Sequence, residues 1–86
     1  MKLDFTNSFK RKTKKLFQKD PQVRTDFIKQ FSLFQKNQKH PSLKLHKLKG
    51  ERLGQYAIWI KGDLRALGVK EKDKFIFFDL VTHDEY

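Results

Sequence analysis

Cysteine is absent from this 86-residue sequence, and proline, glycine, methionine and tryptophan are scarce. Without cysteine the chain can form neither a disulfide nor a thiolate metal site. No apolar run approaches the roughly 20 residues that a membrane-spanning helix requires, and nothing resembles a signal peptide. We therefore expect a soluble, cytoplasmic protein with no cofactor and no membrane partner, folded as one domain over residues 1–86.

Acidic residues are scarce in the first half of the chain. Residues 1–50 hold 14 Lys/Arg against 3 Asp/Glu, whereas residues 51–86 hold 6 against 7, and the net charge is +10. A one-sided positive field raises the local concentration of polyanions and speeds their encounter with the protein. For any single lysine a solvated helix face is the simpler explanation. For the whole half, the charge predicts a surface for nucleic acid or the ribosome.

The first half has the periodicity of two helices after a short strand. Residues 3–5 alternate apolar and polar side chains, and a hydroxyl or amide at residues 6–8 can cap the following helix. Asp20-Pro21 predicts the end of that helix and the start of the next, with Asp20 as cap. Gln35 to Ser42 is expected to be a loop. The predicted apolar stripes are Phe9, Thr13, Leu16 and Phe17, then Val23, Phe27, Phe31 and Phe34.

After Pro41 the pattern changes to short strands. Residues 56–60, 64–69 and 75–81 are rich in aromatic and β-branched side chains, and two short polar turns separate them. The predicted fold is α+β: a short N-terminal strand, a two-helix hairpin, then a three- to four-stranded antiparallel meander with the helices on one face. We assign most of the nine phenylalanines to core packing rather than to base stacking.

Groups that can move a proton or hold a phosphate fall on neighbouring predicted strands. Each is a weak signal alone, but together they can converge on one groove. His40 is interpreted as a loop histidine, and no metal site is expected because no compact ligand spacing is present. The candidates are His46, Asp63, Arg65, His83 and Tyr86.

Four blocks of sequence, taken in order, resemble the RelE/ParE superfamily of toxins from bacterial toxin–antitoxin pairs. The ending, with histidine after threonine, is most similar to the YafQ-type branch, and the resemblance covers nearly the whole chain. It implies the RelE-like fold and a ribosome-dependent, metal-independent endoribonuclease that cuts messenger RNA. The blocks are His46-Lys47-Leu48-Lys49-Gly50, Gly54-Gln55-Tyr56-Ala57-Ile58, Gly62-Asp63-Leu64-Arg65-Ala66 and Thr82-His83-Asp84-Glu85-Tyr86.

The resemblance also implies roles for residues. His83 would be a general acid or base and His46 the second proton carrier, since imidazole ordinarily has a pKa of about 6.5. Arg65 would grip the phosphate, where its fork matches two oxygens. Asp63 would orient a histidine or the substrate, and Tyr86 would stack on a base or assist proton transfer. Further phosphate contacts would come from Lys47, Lys49, Arg11, Lys14 and Lys15.

The chain departs from the family at two places. The terminal block is one residue shorter than in many relatives, and Ile58 and Trp59 stand where the YafQ-type branch often has another histidine. The expected partners are an acidic antitoxin, the ribosomal A site and messenger RNA. Two alternatives stay open: a ParE-like inhibitor of DNA gyrase on the same scaffold, and a non-catalytic module that binds RNA or the ribosome.

Overall fold

A computed structural model describes residues 2–82 of the chain. Two 3₁₀ turns, Pro41–Leu43 and Gly50–Arg52, flank the second strand. The helices and strands, in chain order, are β1 (Lys2–Phe5), α1 (Asn7–Lys19), α2 (Pro21–Lys36), β2 (His46–Lys47), β3 (Gln55–Lys61), β4 (Leu64–Glu71) and β5 (Lys74–Thr82).

The strands form one sheet in the order β1-β5-β4-β3-β2. The last four make the antiparallel meander that the sequence predicts, and β1 joins the far edge in parallel with β5. Two-residue turns connect β3 to β4 and β4 to β5. Gly62 and Lys72 open these turns with positive φ angles of 53° and 55°, which match the twist of a tight hairpin.

The helix ends follow local chemistry, with one correction. Thr6 caps α1, because its hydroxyl accepts the Phe9 N–H at 3.2 Å. Asp20 occupies the N-cap position of α2 and Pro21 its first turn, as predicted, but the Asp20 side chain makes no cap hydrogen bond and its carboxylate lies 3.8 Å from Lys61 Nζ. The predicted loop also begins later, since α2 continues to Lys36.

The main core lies between the helices and one face of the sheet, here called the covered face. Helix residues such as Phe9, Phe27 and Phe34 meet Phe75 and Phe77 of β5 there, and all five are at most 4% exposed. Their rings pack mainly edge-on or tilted, the arrangements that aromatic quadrupoles favour. The assignment of the phenylalanines to the core is confirmed.

The opposite face of the sheet, here called the open face, carries a smaller apolar cluster. Leu48, Ala57, Leu67 and Val81 are buried in it, and Phe78 packs against them. No residue of α1 or α2 belongs to this cluster. A bulge, where the pairing shifts between Leu67 and Gly68, adds one residue to β5 at this point. Within residues 2–82, neither helix is long and apolar enough to cross a membrane.

Candidate functional site

Strand register places two of the predicted site residues on the open face. Directly paired residues point to the same side of a sheet. His46 is paired with Ala57, and Arg65 is paired with Val81, and both partners belong to the open-face cluster. Arg65 lies two strands away from His46 and two residues farther along the sheet, so their backbones are about 10 Å apart across the strands and about 7 Å apart along them. Side chains of this length can therefore reach one ligand lying between them.

The β3–β4 turn fixes the Arg65 side chain. Arg65 is half-buried, and its Nη1 donates to Gly62 O at 3.1 Å and to Leu64 O at 3.3 Å. Trp59, the directly paired residue on β3, donates its indole N–H to the same Gly62 O at 2.7 Å. The other N–H groups of the guanidinium donate to no atom within the described residues. The Arg65 side chain is therefore held in place and still has N–H donors for an anion.

Lys44, in the segment before β2, forms a cluster with Trp59 and Arg65. It follows the 3₁₀ turn in a left-handed conformation, with φ of 50°, and its Nζ lies 5.0 Å from the centre of the Trp59 ring. Gln30 of α2 is 2% exposed and donates to both Ser42 O and Trp59 O, at 3.2 Å and 2.8 Å. One buried amide thus ties the helix layer to the two segments that carry Lys44 and Trp59.

Neither Lys44 nor Trp59 is among the site residues predicted from the sequence. Trp59 reads as one more apolar residue in a strand, and Lys44 as one lysine among many. The available signal was the alternation of β3, which sets Trp59 on the side opposite Ile58 and Ile60.

His46 is exposed at the start of β2, and its Nδ1 lies 3.1 Å from Lys44 O. Its neighbour Lys47 is paired with Tyr56, which packs against the covered-face core, and Lys47 Nζ lies 5.8 Å from the Tyr56 ring. Lys47 therefore does not share a face with His46. Lys49 is exposed and precedes the turn at Gly50–Arg52.

The remaining predicted residues lie away from this cluster or outside the described part. Asp63 is exposed in the β3–β4 turn, two residues before Arg65, and makes no side-chain hydrogen bond or ion pair within residues 2–82. His40 has a structural role, since its Nδ1 accepts the Ser42 N–H at 3.2 Å. His83 and Tyr86 lie outside the described residues. Three exposed cations of α1 that were predicted to contact phosphates belong to the helix layer, across the sheet from His46: Arg11, Lys14 and Lys15.

Lys12 is a further residue that sequence analysis did not single out. It crosses from α1 to the edge of β5 beyond the end of β1, where its Nζ donates to Asp79 Oδ1 at 2.7 Å and to Leu80 O at 3.0 Å. Asp79 is paired with Leu67 of the open-face cluster. Lys12 therefore neutralises a carboxylate beside the site and satisfies a carbonyl at a strand edge.

No protein-family model matches the sequence, and no curated protein does. Solved structures do match. A copper-bound mutant toxin from Helicobacter pylori is 28% identical, with a TM-score of 0.73, over 99% of this chain and 97% of that one. The YoeB/ParE toxin from Agrobacterium tumefaciens is 16% identical, with a TM-score of 0.78, over 96% and 99%. YafQ from Escherichia coli is 16% identical, with a TM-score of 0.77, over 96% and 93%.

YafQ also matches in its toxin–antitoxin complex with DinJ, at 18% identity and a TM-score of 0.74, over 96% and 92% of the two chains. The matches at 16–18% identity establish the fold, and the Helicobacter toxin adds similarity of sequence. The chain therefore has the RelE-like fold and resembles toxins of the RelE/ParE type, YafQ among them, as its four sequence blocks predict.

Proposed function

We propose that this chain is the toxin of a type II toxin–antitoxin pair and that it cuts messenger RNA in the ribosomal A site. One observation carries the proposal: His46 and Arg65 lie on the same open face, and Arg65 is paired with Val81, which precedes His83 by two residues in the sequence. A proton carrier and a phosphate-binding cation therefore share one surface, as metal-independent cleavage of RNA requires. The site of action would be the cytoplasm, where messages are translated.

In the proposed reaction one histidine takes the proton of a 2′-hydroxyl, and the freed oxygen attacks the adjacent phosphorus. The bond from phosphorus to the 5′ oxygen breaks, and the second histidine donates a proton to that leaving oxygen. The products are a 2′,3′-cyclic phosphate and a 5′-hydroxyl. His46 and His83 are assigned to the two proton transfers. Arg65 donates its remaining N–H groups to the phosphate oxygens and so stabilises the charge that builds on them.

Three further roles belong to the same proposal. Asp63 orients a histidine or the substrate, and Tyr86 stacks on a base or assists proton transfer. Lys49 contacts a phosphate beside the cleaved one, and Lys47, whose side chain lies on the other face of β2, contacts a more distant phosphate. None of the three roles is needed for the minimal reaction, so their loss should reduce the rate less than the loss of either histidine.

Primer extension on a defined message in a purified translation system tests the proposal. The unmutated protein is compared with His83→Ala and His46→Ala, each with and without ribosomes. His40→Asn is the matched control, because an asparagine side chain can still cap the 3₁₀ turn that His40 caps. We expect cuts only with ribosomes, unchanged in the control and reduced at least about 100-fold in the two test variants, since general acid–base catalysis contributes that much.

Other outcomes would identify the alternatives. Blocked translation without any cut would indicate a non-catalytic module, for which the net charge of +10 is the supporting observation. Unaffected translation would favour the other alternative, an inhibitor of DNA gyrase, which a gyrase assay would then test. Cutting that persists in His83→Ala and His46→Ala would refute the assigned proton carriers.

The proposal includes an antitoxin partner, and the helix layer offers it a surface. A groove of about 300 Å³ runs between α1 and α2, and Lys10 and Arg24 lie at its margin. Ile28 lines it too and is 58% exposed, a large exposure for an apolar side chain. An acidic, amphipathic segment fits both the apolar lining and the positive margin. The aromatic residues that line this groove are Phe5, Phe9, Phe17, Phe27 and Phe31.

A further inference from the structure

Trp59 stands on the open face in an orientation that the surrounding hydrogen bonds determine. It is the single tryptophan of the chain and is half-buried on β3. Its indole N–H donates to Gly62 O at 2.7 Å, and Nη1 of the directly paired Arg65 donates to the same oxygen at 3.1 Å. Since this bond fixes the ring before any ligand arrives, binding against the ring costs little conformational entropy.

Two cations lie close to the ring. Lys44 Nζ lies over one face of the ring, 5.0 Å from its centroid, and Arg65 is the directly paired residue on the neighbouring strand. Asp79, the carboxylate on the same face of β5, is held by Lys12 at 2.7 Å, and Asp63 lies in the exposed β3–β4 turn. Among the described residues, the surface around the indole therefore combines an apolar plane with two cations, Lys44 and Arg65.

The chain contains a second lysine–aromatic pair that serves as a comparison. Lys47 Nζ lies 5.8 Å from the Tyr56 ring, but Tyr56 is on the covered face and packs edge-on against Phe75 at 5.3 Å. That pair is explained by core packing. No helix packs over Trp59 in the described part of the chain, so packing does not explain the pair on the open face.

We propose that Trp59 binds an unpaired nucleobase of the RNA by stacking, while Lys44 and Arg65 hold the phosphates beside it. Single-stranded RNA is bound in this way by other proteins, because aromatic rings stack on exposed bases and arginine or lysine neutralises the backbone. The proposal rests on the proposed function for the identity of the ligand. It adds a base-binding residue in the stretch, Ile58 and Trp59, where the YafQ-type branch often has another histidine.

Trp59 itself reports the result, as the single source of indole fluorescence. The protein is titrated with a 2′-O-methyl oligoribonucleotide, which cannot be cut because its 2′ oxygens carry no proton. A fluorescein label on the oligonucleotide gives the affinity independently. We expect the indole emission to be quenched on binding. Trp59→Leu should weaken binding about fivefold or more, whereas Trp59→Phe, which keeps a ring, should keep most of the affinity.

Tyr56→Leu is the matched control, since it removes an aromatic ring with a lysine over it from the same strand but the other face. Its affinity should equal that of the unmutated protein, and circular dichroism checks that each variant is folded. Emission unchanged at saturating oligonucleotide, or equal affinity of Trp59→Leu and the unmutated protein, would overturn the proposal. Quenching with weaker binding by Trp59→Leu supports it even if primer extension detects no cutting, so the two proposals fail separately.

Discussion

At the scale of single residues, the chemistry of Arg65 gives a sharp prediction. Its Nη1 donates to Gly62 O and Leu64 O, so the other N–H groups of the planar guanidinium remain for the phosphate. Lysine carries its three N–H donors on one nitrogen, so it cannot span the turn carbonyls and two phosphate oxygens as the planar guanidinium does. We expect Arg65→Lys to reduce mRNA cutting by about tenfold or more, measured by primer extension.

The same substitution in Arg24, an exposed arginine of α2, is the control and should leave cutting unchanged. Thermal unfolding separates chemistry from folding. A large drop in the midpoint for Arg65→Lys would mean that the arginine mainly holds the turn, and equal cutting by both variants would exclude its role at the phosphate.

His46 and Arg65 could be predicted from the sequence because short motifs around glycine turns carry them. The Lys44–Trp59 contact could not. It depends on the left-handed conformation of Lys44 after a 3₁₀ turn and on the pairing that sets Trp59 beside Arg65. Neither feature has a signature in residue order. The face on which Lys47 lies could not be predicted either. In a strand of two residues, only the pairing with the neighbouring strand decides which residue points to which face of the sheet.

At the scale of elements, Gln30 connects the helix layer to the site. Its amide N–H groups satisfy Ser42 O and Trp59 O, and the residue is 2% exposed. Gln30→Met has nearly the same shape but leaves both carbonyls without this donor, which should cost ~1–3 kcal/mol of unfolding free energy. Chemical denaturation measures this loss, and Gln22→Met, exposed on the same helix, should be neutral within about 0.5 kcal/mol.

Gln30→Met should also lower RNA binding under conditions where the variant is folded, because the segments that carry Lys44 and Trp59 lose their common anchor. Unchanged binding by a destabilised Gln30→Met would show that the sheet alone positions the two residues. Unchanged stability would show that water replaces the amide at both carbonyls.

The helices and the meander were predictable because apolar periodicity and turn residues are local signals. The stripes through Phe9 and Phe27 are buried as expected, and both hairpins form at the predicted turns. The attachment of β1 to β5 was not predictable, since a four-residue strand pairs in parallel across most of the chain. The bridge from Lys12 to Leu80 O follows from it, because the carbonyl is available only where β1 has ended.

At the scale of the whole molecule, the basic charge is divided between two surfaces. The cluster of Lys44, His46 and Arg65 occupies the open face, and Arg11, Lys14 and Lys15 of α1 belong to the other layer. We expect replacement of Arg11, Lys14 and Lys15 by glutamine to weaken binding to ribosomes but to change oligonucleotide binding less than twofold. Each lost phosphate contact should reduce the slope of log K against log salt by about 0.7–0.9.

The matched control removes three charges at the β4–β5 turn, by replacing Lys70, Lys72 and Lys74 with glutamine. Sedimentation with ribosomes at several salt concentrations compares the two triple variants. Equal loss in both would mean that total charge, and not the α1 surface, drives the association. A strong effect of the α1 variant on the oligonucleotide would place the RNA on the helix layer instead of the open face.

The groove between the helices gives the last prediction, because it separates inhibition by the antitoxin from catalysis. Ile28 lines the groove and lies on the side of the molecule away from the open face, so Ile28→Asp should leave mRNA cutting unchanged. A buried carboxylate facing an acidic, apolar partner is unfavourable by desolvation and by repulsion. We therefore expect coexpressed antitoxin to neutralise the unmutated toxin but not Ile28→Asp, whereas Thr25→Asp, exposed elsewhere on α2, should be neutralised normally. Normal neutralisation of Ile28→Asp would exclude this groove and leave the open face as the surface that an antitoxin covers.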